Sequence, residues 1–183
     1  MNTQPLEQAI SVARRVLTGD GQLAAATPCA SWNVSELINH MVGGQGFFAA
    51  CVNGEMPSGN APDFASGDFR AAFDEASGAS LAAFQAEGAL AKTVKAPFGE
   101  MPAEVFMGIA ITDTFQHAWD LAKTTGQDTN LAPELAAVLV ARTKDNISDD
   151  LRGPEGAPFA AAQAIGDDAS PADRLAAFLG RTV

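Results

Sequence analysis

The segment from Ala103 to Thr125 reads as one long helix that is apolar on almost every side, closed by Gly126. A helix of that kind cannot face water and has to be surrounded by other elements. Counted at about 100° per residue from Asp113, Phe106, Ala110 and Leu121 share its face, while Ile111, Phe115, Ala118, Trp119 and Ala122 cover the opposite one. Only Thr112, Gln116 and Lys123 make a plainly polar strip. Yet Asp113, His117 and Asp120 sit on one ridge of this greasy rod. Ionisable groups in such a place are expensive unless paired or bound to a metal.

The surrounding elements are legible from caps and breakers. A first helix runs from about Pro5 to Thr18, with Thr3 as a candidate cap, Leu6, Ile10, Ala13 and Leu17 at helical spacing, and Gly19-Asp20-Gly21 as its stop. After an irregular connection, Asn33 and Glu36 form the pattern of a capping box, which opens a second helix over Val34 to Val52. His40 falls on its apolar side with Leu37, Gly44, Phe47 and Cys51, so it points inward. Gly43 and Gly44 cost helix stability, roughly 1 kcal/mol each. They either clear space beside the imidazole or permit close helix packing.

From Gly54 to Asp68 the chain is rich in Gly, Pro, Asn and Asp, a long loop of the kind that often borders a binding site. A third helix follows over Phe69 to Ala86, with Phe73, Leu81 and Phe84 apolar, and Thr93 to Pro102 suggests a short hairpin or loop. Beyond the central helix, Pro133 to Ile147 is amphipathic through Leu135, Val138, Leu139 and Ala141. Asp149 to Asp168 is irregular, and Ser170-Pro171-Ala172-Asp173 starts a last short helix through Leu179. The expectation is an all-α fold in a single domain over 1–183, with 149–183 as a C-terminal extension packed on the bundle.

Composition removes several functions. A net charge of −11, from 22 acidic and 11 basic residues, repels nucleic acid and anionic membranes over most approaches. No apolar run is long enough to span a bilayer and the N-terminus has no secretory layout, which points to the cytoplasm. Cys29 and Cys51 lack CxxC spacing and read as small buried hydrophobes.

The chain has two histidines, His40 and His117, and both fall on apolar helix faces. Asp113 and His117 stand one helical turn apart, about 5–6 Å between Cβ atoms, close enough to share a cation. We therefore expect His40, Asp113 and His117 to be three ligands of one divalent metal in the core of a bundle, with Asp120 as a partner of an imidazole N–H or of a loop backbone ahead of a fourth ligand. The other reading of the same spacing is an ordinary Asp–His pair on a ridge and a hydrogen-bonded core histidine at position 40. Two imidazoles and one carboxylate suit Zn²⁺ or another first-row ion, and three protein ligands leave a position open for water or substrate. Such an ion lowers the pKa of bound water or holds a thiol as thiolate.

Three motifs carry a resemblance. They are Thr27-Pro28-Cys29-Ala30-Ser31-Trp32-Asn33-Val34-Ser35-Glu36-Leu37-Ile38-Asn39-His40, then Asp113-Thr114-Phe115-Gln116-His117-Ala118-Trp119-Asp120-Leu121-Ala122, then Asp168-Ala169-Ser170-Pro171-Ala172-Asp173-Arg174-Leu175. In order and spacing they resemble the actinobacterial DinB-like proteins related to the N-terminal domain of mycothiol-dependent maleylpyruvate isomerase. The resemblance implies a DinB/YfiT-like four-helix bundle, here with a short extra C-terminal helix and a small hairpin. It also implies a divalent metal, zinc or nickel, at positions matching His40, Asp113 and His117. The isomerase is similar with glutamate at the acid position, where this chain has the shorter Asp113. The isomerase also uses a C-terminal domain without counterpart in these residues.

What the resemblance implies for activity is a metal-dependent enzyme that activates a low-molecular-weight thiol, mycothiol or similar, for transfer to or isomerisation of a small electrophile. Two other classes stay open: a non-catalytic metal- or ligand-binding bundle, dimeric through exposed helices, and a metal-assisted hydrolase. The residues name no separate catalytic group and no residue that binds the thiol.

Overall fold

The computed structural model describes residues 2–18, 22–29, 32–56, 62–153 and 159–183. The Gly19-Asp20-Gly21 stop, Ala30 and Ser31, the middle of the long loop at 57–61, and residues 154–158 lie outside the described residues.

Local sequence sets each helix where its end signals stand. α1 spans Gln4–Val16; Thr3 precedes it but makes no side-chain cap, and its hydroxyl instead donates to Glu7 Oε1 at 3.1 Å. α2 spans Val34–Val52, and the capping box at its start is complete: the Glu36 N–H donates to Asn33 Oδ1 at 3.0 Å and the Asn33 N–H donates to Glu36 Oε2 at 2.8 Å. α3 spans Phe69–Gln85 and opens on Asp68, whose carboxylate accepts from the Ala71 N–H. β1 (Thr93–Ala96) and β2 (Gly99–Pro102) form an antiparallel hairpin in the register Thr93↔Pro102 and Ala96↔Gly99. α4 spans Ala103–Thr124, and Gly126 follows with φ +70°, the left-handed value that ends many helices. α5 spans Pro133–Asn146 and α6 spans Pro171–Phe178, the latter capped by Ser170.

The first four helices form the bundle. α1 lies along α4, α2 along α3, and α2 meets α4, while the hairpin carries the chain from α3 back to α4. α5 and α6 pack on each other; α6 also touches α4 and α5 touches α1. The all-α architecture with a small hairpin is therefore as the sequence indicates. The core gathers Leu6, Ile10, Leu17, Leu37, Phe73, Phe84, Phe106, Phe115 and Trp119, all nearly or wholly removed from water. Burial on this scale is the main favourable term in folding.

Two face assignments are corrected. Gln116 is buried, because its amide turns in to Asp120, and the exposed side of α4 carries Val105 and Ile109 instead. On α5 the buried side is Leu135, Ala136, Leu139 and Thr143, while Val138 and Ala141 face outward. Val138 is 62% exposed, so hydrophobicity at that position does not report the core. Among the described residues no helix is long and apolar enough to cross a membrane.

Candidate metal centre

α2 supplies His40 and α4 supplies Asp113 and His117, and the packing of the two helices brings all three together. His40 Nε2 lies 3.1 Å from Asp113 Oδ1, and His117 Nε2 lies 3.5 Å from the same oxygen. Ligands at about 2.0–2.2 Å from a tetrahedral ion stand about 3.3–3.6 Å apart, so the His117 spacing fits and the His40 spacing is a few tenths of an ångström short of it. All three donor atoms lie within 4.8 Å of one another.

Exposure is uneven across the centre. The His40 and Asp113 side chains are 33% and 25% exposed, against 9% for His117 and 0% for Asp120. Trp32 borders it: the indole centroid is 4.6 Å from the His40 ring and 5.4 Å from the His117 ring, and the two imidazoles meet edge to face at 4.5 Å. Gly44 lies beside the carboxylate rather than beside an imidazole. A methyl group there would sit 3.6 Å from Asp113 Oδ2.

Behind His117 stands a second layer of hydrogen bonds centred on the buried Asp120. His117 Nδ1 donates to Asp120 Oδ2 at 3.0 Å, since a carboxylate can only accept. Arg181 closes on both oxygens of Asp120, Nε to Oδ1 and Nη2 to Oδ2, each at 3.1 Å. Gln116 Nε2 donates to Oδ1 at 3.2 Å. With two donors on each oxygen, Asp120 is committed to holding its neighbours and is not free to bind an ion. Trp119, next in sequence, is anchored as well, its Nε1 donating to Asp173 Oδ1 at 2.9 Å.

Charge follows this geometry. Burial would push the His117 imidazolium down, but the charge and hydrogen bond of Asp113 and the bond to Asp120 outweigh it and hold the group up at about 9. Burial would raise Asp113, yet the His117 charge and the bonds from both imidazoles hold it well below the usual carboxylate range. Asp120 is lowered against burial by its bond from His117 and by Arg181. Free of metal, the centre is a carboxylate–imidazolium pair.

Cys29 corrects the expectation of two buried cysteines. Cys51 is buried, whereas Cys29 is half-buried and its Sγ accepts from Arg181 Nη2 at 3.4 Å. Cys29, His117 and Asp120 also cluster within 4.8 Å. Burial pushes the Cys29 thiol up to about 11, against the opposing pull of Arg181, so it stays protonated. Both oxygens of Asp120 already accept two hydrogen bonds each, which leaves this second group one ligand short. The better donor set is His40, Asp113 and His117.

The sequence reading did not find Trp32, Cys29 or Arg181. One signal was present. α4 carries two aspartates and one histidine along one ridge of a largely apolar helix, a charge balance that calls for a further cation from another element.

The family model for the mycothiol maleylpyruvate isomerase N-terminal domain matches residues 4–122, more than half the chain and a span that holds His40, Asp113, His117 and Asp120. The chain belongs to this family. An uncharacterized protein of Mycobacterium tuberculosis strain H37Rv is 41% identical over 162 residues, covering 88% of this chain and 86% of the relative. Its counterpart in strain CDC 1551 has the same identity and coverage. No solved structure matches the chain. Family membership and the helical bundle agree, and the mycothiol-related, DinB-like reading stands for the first two motifs, while the third, at 168–175, lies beyond the matched span. Arg181 lies beyond the span that the family model matches.

Proposed function

We propose that this protein is a divalent-metal-dependent enzyme that activates a low-molecular-weight thiol of the mycothiol kind for transfer to, or isomerisation of, a small electrophile. The observation that supports the reading is the convergence of His40, Asp113 and His117, whose donor atoms lie within 4.8 Å of one another, with both imidazoles 3.1–3.5 Å from Asp113 Oδ1. Zinc suits this donor set best, with nickel the alternative. The bound ion supplies a Lewis acid that keeps a coordinated thiol in its nucleophilic thiolate form.

The chain's own groups do the rest. His40 and Asp113 are the more exposed ligands, where a small molecule can approach. Trp32 covers the imidazoles and limits water there. Asp120 receives the Nδ1–H of His117 and so leaves Nε2 toward the centre. The reading places the protein in the cytoplasm, where such thiols are kept reduced. Its partner is a small molecule rather than nucleic acid, given the charge of −11.

The test starts from protein purified without added metal, with its ion content measured and thiol conjugation assayed with and without chelator. One ion per chain, lost in His117→Ala, and turnover that needs both thiol and ion support the proposal. An ion without thiol affinity would favour a non-catalytic binding bundle or a hydrolase. No ion, together with unchanged stability in His117→Ala, overturns it.

A further inference from the structure

We infer that Arg181 is a positioning residue of the centre, acting through Asp120 to fix the ring of His117. Its effect on metal binding rests on the proposed function above; the hydrogen-bond chain itself does not.

The route from sequence to this side chain is short and specific. α6 ends at Phe178, and the chain then turns through Gly180 at φ +91°, a value L side chains rarely adopt. The Gly180 N–H donates to Ala177 O at 3.0 Å and the Arg181 N–H to Ala176 O at 2.9 Å, the bond pair of a glycine-terminated helix. A Cβ on Gly180 would lie 2.7 Å from the Ala160 methyl and 3.0 Å from Ala160 backbone atoms, so space and torsion both select glycine. This turn delivers Arg181 to Asp120, with its side chain only 13% exposed.

The bond made there is two-pronged, Nε to Oδ1 and Nη2 to Oδ2 at 3.1 Å each, which fixes the carboxylate in plane as well as in place. Asp120 is 0% exposed and could rotate about its own bonds if only Gln116 and His117 held it. With the fork in place, Oδ2 is aimed at His117 Nδ1. Arg181 Nη2 also donates to Cys29 Sγ, which ties the connection before α2 to the same point. α6 is already pinned to α4 by Trp119 and Asp173, so the residues beyond it reach Asp120 from a fixed base.

A cation near a dication should, on charge alone, weaken metal binding, so removing it should tighten the ion. Positioning predicts the opposite sign. Groups that orient a metal-bound histidine typically contribute 10–100-fold in affinity. The experiment measures zinc affinity by chelator competition in wild type, Arg181→Gln, Arg181→Lys, Asp120→Asn and the double variant Arg181→Gln/Asp120→Asn. Helical circular dichroism checks that each folds. Side-chain ¹⁵N spectra of the two histidines read the His117 Nδ1–H.

The expected result is affinity at least tenfold weaker in Arg181→Gln, partial recovery in Arg181→Lys, and little added loss in the double variant over Asp120→Asn alone. An effect of Arg181 on the ion by a route other than Asp120 would make the two losses add. Unchanged or tighter zinc in a folded Arg181→Gln overturns the inference, as does full additivity. Should Arg181→Gln fail to fold, Arg181→Lys decides: slower Nδ1–H exchange in wild type than in this variant supports positioning, and equal exchange refutes it. Should wild type bind no zinc, the functional reading fails by itself. The His117 Nδ1–H then decides for Arg181 in metal-free protein, where a proton protected in wild type and exchanging freely in Arg181→Gln supports positioning, and equal protection overturns it.

Discussion

Without metal, the stability of this protein should fall as pH rises from neutral toward 9, and Asp113→Asn should reduce that dependence, leaving the smaller part due to Asp120. The His117 imidazolium is held at about 9 in the folded chain, against an ordinary value of 6.5. A group raised on folding stabilises fully below its unfolded pKa, and that stability is lost as pH passes through the folded pKa. The difference corresponds to about 3 kcal/mol at pH 6.5, most of which is gone at pH 9. With a urea slope of about 2 kcal/mol per molar, the unfolding midpoint should drop by about 1 M across that window. Cys29 and Cys51 are also raised, from 9.0, but their contribution of the same sign disappears only above about pH 9, outside the titration. Asp113 reports the same ion pair from its other side and adds no second sum. Its own share is present above the ordinary carboxylate range and is lost in acid. The assay is urea unfolding followed by circular dichroism in chelator, at half-unit steps from pH 6.5 to 9, in wild type and Asp113→Asn. A flat wild-type profile, or an equal slope in the variant, would refute the argument that this carboxylate sets the charge of His117.

Two further predictions concern α2. Gly44→Ala places a methyl group at ordinary contact distance from Asp113 Oδ2 and 3.9 Å from the Phe48 ring, so helix propensity should prevail, with Tm raised by about 2–4 °C and metal content unchanged. A loss of stability would mean that the carboxylate needs that space. Asn33→Ala removes half of the capping box and should cost about 1 kcal/mol in urea unfolding, again with no loss of metal. Metal loss there would show that the start of α2 sets the position of His40.

The helices were legible because their signals are local. Asn33 with Glu36, Gly126 after α4 and Ser170-Pro171 before α6 each act within a turn of the residue they control. Asp113 and His117 were legible for the same reason, since helical spacing fixes their shared face. His40 lies 73 residues from Asp113, and only the paired burial of both helices hinted that they meet. Trp32 and Arg181 come from outside the helices, through an irregular connection and a glycine turn, where no periodicity reports direction. Faces were misjudged where chemistry and hydrophobicity part. Gln116 is buried because Asp120 needs a donor, and Val138 is exposed because, among the described residues, the core lies on the opposite side of α5.

The placement of Trp32 gives the molecule its own optical gauge. The chain has two tryptophans and no tyrosine, and Trp119 is sealed in the core with its N–H taken by Asp173. Only the indole of Trp32 stands against the two imidazoles, so its emission should change when a proton leaves or an ion arrives. Ultraviolet excitation of unlabelled protein can thus follow occupancy of the centre in real time.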